Sequence, residues 1–223
     1  DGRVVPLGGY ERQGGALEVH AAPVLREFRL EAGLPVWTFD LGAFVLERRL
    51  LLVHMQNTVH VGYRVVDGEG VMRLKVRPSV YFRHHEGSVA GPSPDDYVFR
   101  PEYPPLHLRL VGERTAFTVD DHHVDDLVYR LEQRRGYDHV GRLWSPGFFR
   151  ADLAPGRDVT LIASTEPCET FCALSPAEAV GAEATRRARL VAAADDRASR
   201  GVAVELVLAA DQFLITPTGR RED

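Results

Sequence analysis

Between Thr58 and Phe82 the side chains alternate with a period of two on both sides of Asp67-Gly68-Glu69-Gly70. Before that tetrapeptide, Val59, Val61, Tyr63 and Val65 fall on one face of an extended chain. After it, Met72, Leu74 and Val76 alternate with Val71, Arg73, Lys75 and Arg77, so one face is apolar and the other basic. A strand with one wet and one dry face belongs in an antiparallel sheet, because parallel strands are buried on both sides. The glycines between the runs supply the positive φ of a tight hairpin, so the two runs are expected to pair. A second long run, Phe39–Val53, is rich in β-branched and aromatic residues and precedes Thr58–Val66 with Gln56-Asn57 as its break.

The same pattern continues at Leu106–Val111, Ala116–Val119, Phe148–Leu153 and Val159–Ser164, the last two split by Ala154-Pro155-Gly156-Arg157. Residues 91–105 hold five prolines and read as a long loop, since proline donates nothing to a ladder. The composition changes at Ser175. Ser175-Pro176-Ala177-Glu178 is a capping box with proline at the first helical position. An Ala/Arg/Glu-rich helix is expected from there to about Arg197, and a second over Val202–Leu214 with Val204, Leu208 and Phe213 on one side. The chain therefore reads as mainly β, a large antiparallel domain over 1–170, followed by a helical segment over 171–223.

Of the 27 basic residues only Lys75 is lysine, against 32 acids and a net charge of −5. A chain so charged is no nucleic-acid binder of the bulk-positive kind, and it has no Gly-Lys-Ser/Thr step for a phosphate loop. No stretch approaches the ~20 apolar residues that span a bilayer, so no membrane role is expected. Cys168 and Cys172, four apart, complete neither a zinc set nor a disulfide framework; they read as small buried residues of a reducing compartment. A cytoplasmic location is the expectation. The chain opens on Asp1 and is expected to be a piece of something longer.

An ordered set of segments resembles the N-terminal domain of bacterial and archaeal glycogen debranching enzymes (amylo-α-1,6-glucosidases). It begins with Leu25-Arg26-Glu27-Phe28-Arg29-Leu30 and Leu34-Pro35-Val36-Trp37-Thr38-Phe39. Phe44-Val45-Leu46-Glu47-Arg48-Arg49, Gln56-Asn57-Thr58-Val59 and Tyr63-Arg64 follow. Arg77-Pro78, Phe82-Arg83, Arg135-Gly136-Tyr137-Asp138 and Ser145-Pro146-Gly147-Phe148 come next, then Ala209-Ala210-Asp211-Gln212-Phe213. The resemblance spans roughly 17–215. It implies a two-sheet β-supersandwich, galactose mutarotase-like, with a C-terminal helical linker, its first strands lying before Asp1. It also implies a catalytic α/α barrel, starting where this chain stops, as partner in the same polypeptide, and an α-glucan such as glycogen as substrate. The catalytic carboxylates would belong to that barrel, so no catalytic residue, metal ligand or cofactor is assigned here. Two places depart from the family pattern. Gly141-Arg142 stand where an acidic pair is usual, and His84-His85-Glu86 where acid-aromatic-His is usual.

Resemblance and chemistry overlap at Arg77, Arg83, His84, His85 and Glu86, which are taken as the substrate-binding candidates. Arginine and histidine hydrogen-bond sugar hydroxyls, and a loop leaving a sheet edge can reach a neighbouring cleft. The blander account is a solvated strand face and a polar turn. Asp121, His123 and Asp125 would share a face of an extended strand as metal-type ligands, against the commoner reading of an exposed acidic loop. Trp37, Phe39, Tyr81 and Trp144 are expected in the core or a domain seam rather than stacked on sugar. His54 and His60 are expected at the surface, and Glu132 with Arg135 as an ion pair bracing Gly136. Two other classes stay open: a stand-alone carbohydrate-binding sandwich module, and a sugar-active sandwich drawing on His84, His85, Glu86 and His123.

Overall fold

The structure, a computed structural model, describes residues 4–83, 87–90 and 104–214. It is a mainly β fold built on two antiparallel sheets. The larger has the strand order β1-β2-β3-β4-β9-β6, where β1 is Leu25–Glu31, β2 Leu34–Asp40, β3 Phe44–Leu52, β4 Thr58–Gly68, β6 His107–Val111 and β9 Val159–Ser164. The smaller has the order β5-β8-β7, formed by Met72–Val76, Val140–Leu153 and Ala116–Val128 in that order.

The β-sandwich matches the sequence pattern in class but not in every connection. Phe39–Val53 is interrupted: the chain turns at Leu41-Gly42-Ala43, where the Gly42 N–H donates to Asp40 Oδ1 at 2.9 Å, and β2 pairs back on β3. The expected hairpin between the two alternating runs does not form. β4 pairs with β3 and β9, whereas β5 pairs with β8 in the other sheet. Asp67-Gly68-Glu69-Gly70 instead carries the chain across the sandwich. Gly68 sits at φ 113°, and a Cβ there would stand 2.4 Å from the Ala43 carbonyl oxygen. Only glycine allows that crossing.

β7 and β8 run longer than their composition suggests, because each passes through residues that ordinarily break strands. Two β7 residues, Asp120 and Asp121, oppose Pro146 alone in a bulge between the Val119–Gly147 and His122–Ser145 pairs. Proline has no N–H to donate, and a bulge is where an inner strand tolerates it. Glu11–Gln13 lie along the far end of β7, with the Val128 N–H donating to the Glu11 carbonyl at 2.8 Å and the Gln13 N–H to the Asp126 carbonyl at 2.8 Å.

Between the sheets lies one apolar core of Phe39, Leu46, Val65, Leu110, Phe149, Ala151, Leu153, Val159 and Leu161. Met72, Leu74 and Val76 pack against it, as their alternation requires. Each fully buried side chain of this size is worth about 1.5–3 kcal/mol of transfer free energy.

The other face of the large sheet is covered by the helix α3, Pro176–Ala193, which follows a single-turn α1 (Arg130–Arg134) and α2 (Cys168–Phe171). Its capping box forms: Ser175 Oγ accepts from the Glu178 N–H at 3.3 Å, and the Ser175 N–H donates to Glu178 Oε2 at 2.8 Å. Ala179 and Val180 pack on Leu34, Leu51 and Val53. The helical segment is thus folded back as a third layer. α4, Val202–Asp211, is held to it by Arg186, whose Nη1 donates to the buried Asp211 at 2.7 Å. Phe213 is 85% exposed, outside any packed face.

Candidate functional site

Two of the five substrate-binding candidates lie among the described residues; His84, His85 and Glu86 lie outside them. Arg77 follows β5 on the outward face of the small sheet, where its guanidinium donates to the carboxylate of Asp120 and, at 3.0 Å, to the Asp120 carbonyl. That bond holds the Asp120 carboxyl below the usual carboxylate range. Arg77 also lies 5.2 Å from the Phe148 ring centroid, beside Lys75 at 3.8 Å and Arg150 at 5.5 Å. The chain's single lysine therefore stacks on an aromatic face, consistent with its place in an alternating strand.

Arg83 has a different setting. Its guanidinium donates to the Gly87 carbonyl, closing the loop that contains residues 84–86, and stands 3.6 Å from Glu132 of α1. The loop is fastened on its other side as well. Val80 and Trp144 exchange backbone hydrogen bonds of 2.7 and 3.1 Å. The Tyr81 hydroxyl donates to the Ser88 carbonyl at 3.3 Å, and Ser88 Oγ donates to Asp138 at 2.7 Å. Val89 is buried, 2% exposed. The sheet edge, α1 and the β8 entry thus hold the described residues on both sides of 84–86.

The surroundings are aromatic and polar together. Burial first, then the neighbouring Tyr81, pushes the Tyr129 phenol upward in pKa, partly offset by Arg83. The Trp144 indole N–H donates to Asp121 Oδ1, and His123 Nε2 lies 3.9 Å from the same oxygen. His123 Nδ1 is buried without a hydrogen-bond partner. Phenols, a guanidinium and carboxylates in one neighbourhood are groups that hydrogen-bond polyols. Arg77 and Arg83 are not brought onto one another: one is committed to Asp120, the other to Gly87 and Glu132.

Several neighbours differ from the sequence expectation. The segment Asp120–Asp126 is strand, not loop, and its acids have separate partners: Arg77 for Asp120, Trp144 for Asp121, and Arg142 at 3.3 Å for Asp125. Among the described residues no group of three or more His, Cys, Asp and Glu side chains converges as a metal site. The guanidinium facing Glu132 is that of Arg83, not the expected Arg135. Phe39 and Trp144 are core, 1% and 6% exposed. His60 is buried rather than at the surface, because α3 closes over it with Pro176 and Val180. Cys168 is exposed and Cys172 partly so, against the expectation of two buried thiols.

Sequence reading missed the contacts that fasten the loop. The Val80–Trp144 bridge joins residues 64 apart, and nothing local marks it. Ser88 and Asp138 are visible only as ordinary turn residues.

Among the described residues no helix is long and apolar enough to cross a membrane. Compared with known proteins, the chain matches the family model described as glycogen debranching enzyme N terminal over residues 1–160, more than half its length. No curated protein and no solved structure matches it.

Proposed function

The chain belongs to the glycogen debranching enzyme N-terminal family, and from that premise we propose that it is the non-catalytic sandwich domain of an amylo-α-1,6-glucosidase. In this reading it packs on a catalytic domain of the same polypeptide, in the cytoplasm. The loop that Arg83 closes then forms part of the wall of that domain's α-glucan cleft. Arg83, His84, His85 and Glu86 would meet the glucan, with Arg77 on the adjoining sheet face.

The observation behind the reading is the way the loop is built. The described residues on both sides of 84–86 are pinned to β8 and α1, and scaffolds position binding loops from anchored ends of this kind. Glycosidic hydrolysis needs two opposed carboxylates about 5–10 Å apart. The carboxylates around this loop are instead engaged by Arg77, Arg83 and Trp144, which suits them to shape a wall.

Reading the gene onward from Asp223 tests the proposal. A continuous frame encoding a further, helix-rich domain with paired acids is expected. A stop codon directly after Asp223 would overturn it and leave the stand-alone sugar-binding module as the better account.

A further inference from the structure

We propose that Cys168 and Cys172 form a reversible dithiol site that captures a low-molecular-weight disulfide and closes into an intrachain disulfide. This rests on the local geometry of α2 and is independent of the function proposed above.

The two sulfurs are 3.3 Å apart, already in contact. The backbone holds them there: the Cys172 N–H donates to the Cys168 carbonyl at 2.9 Å, closing one helical turn. Helical geometry puts residues four apart at about 6.2 Å between Cα atoms. A disulfide tolerates roughly 4.4–6.8 Å, so bonding to the usual ~2.05 Å requires side-chain rotation alone. The turn itself is anchored. Phe171, 6% exposed, packs with its ring 5.4 Å from that of His107 in the edge strand β6.

The pair is also polarised. Arg109 Nη1, reaching over from β6, donates to Cys172 Sγ at 2.9 Å. That hydrogen bond fixes the Cys172 sulfur against β6, and the geometry assigns Cys172 as the attacking sulfur. The hydrogen bond with Cys172 pushes the Cys168 thiol upward in pKa, so Cys168 keeps its proton and serves as the resolving thiol. Cys172 is partly exposed and the adjoining Cys168 fully so, which gives a small disulfide access to the pair.

The chemistry is two exchanges. The Cys172 thiolate attacks one sulfur of RS–SR, a Cys172–SR bond forms, and RS⁻ leaves to take up a proton. Cys168 then loses its proton to solvent, its thiolate attacks the Cys172 sulfur, and the second RS⁻ leaves and is protonated. The dithiol is oxidised by two electrons and the small disulfide is reduced to two thiols. Excess small thiol runs the sequence backwards. The crosslink lies in the connection between β9 and α3, so closing it stiffens the joint between sheet and helical layer.

The test treats the reduced chain with oxidised glutathione and follows intact mass against time. A transient single adduct is expected, giving way to a product lighter than the reduced chain by one pair of hydrogens. Cys168→Ser should stop at a stable single adduct on Cys172. Arg109→Ala should slow the first exchange severalfold, and Arg109→Lys should restore much of the rate. Accumulation of two adducts without closure would overturn the proposal. So would an Arg109→Ala chain whose exchange rate matches the parent's.

Discussion

Glu47 is the most consequential single charge in the fold. Its carboxylate, 5% exposed, accepts from Arg29 at 2.6 Å and Arg64 at 2.9 Å, with Arg49 at 3.6 Å. Arg49 in turn donates to Glu31 at 2.6 Å, whose pKa that bond lowers. Removing the hub leaves like charges facing one another beneath the sheet surface. Glu47→Ala is expected to destabilise the chain by about 2–4 kcal/mol, the lower half reflecting the partial solvation of the arginines, as read by urea denaturation. His60 lies on the same face with Nδ1 unpartnered, and burial lowers its pKa below the ordinary 6.5. The unfolded chain thus takes up a proton before the folded one does. Stability from this residue is full above about pH 6.5 and falls as pH drops from there towards the folded value. His60→Leu is expected to hold within about 1 kcal/mol of the parent or exceed it. It should also flatten the stability loss between pH 7 and 5; an unchanged pH slope would refute this assignment. His60 and the cysteines were illegible in the sequence for the same reason. Exposure of a lone His or Cys depends on what chain a hundred residues away covers it, and periodicity carries no such information.

Among the elements, the two helices of the outer layer depend on one buried acid. Glu183 accepts from Arg186 at 2.8 and 2.9 Å and from Arg187 at 2.6 Å. Burial alone would raise its pKa, but the two arginines outweigh burial and leave it below the ordinary 4.5. Its contribution is therefore present above about pH 4.5 and is lost as pH falls through the lowered folded value. Arg187 also reaches the β1–β2 turn, where a Cβ on Gly33 would come 2.4 Å from its Nη1 and 3.1 Å from Leu208 Cδ1. Glu183→Gln is expected to loosen α3 and α4 at neutral pH, seen as faster hydrogen exchange in Pro176–Asp211 with the sandwich core unchanged. Exchange that rises equally in β3 and β4 would mean the helices are no separate layer. The start of α3 was readable because capping is local: Ser175 and Glu178 need no other part of the chain. The partner of β5 was not readable, because a Gly-rich turn permits both a hairpin and a crossing, and the choice is made by which sheet buries Met72, Leu74 and Val76.

For the whole molecule, the alternation of side chains sufficed to indicate an antiparallel β domain, since each half-wet strand demands a dry partner surface; the two sheets were implied by the family resemblance. It could not indicate that Lys75, Arg77 and Arg150 gather around Phe148, because strand order is long-range. Nor could it give the pinned loop. In the proposed parent enzyme, Arg83→Ala is expected to raise KM for a branched glucan by about tenfold with kcat little changed, the worth of one charge-assisted hydrogen bond. A fall in kcat with KM unmoved would assign the loop to the chemistry rather than to the wall. The central claim is that this domain assists glycogen debranching without performing it. Glucose release from a phosphorylase limit dextrin is the assay, comparing the 223-residue chain alone with the proposed parent enzyme. Release by the proposed parent enzyme and none by the chain alone is expected. Glucose released by the chain alone would contradict it.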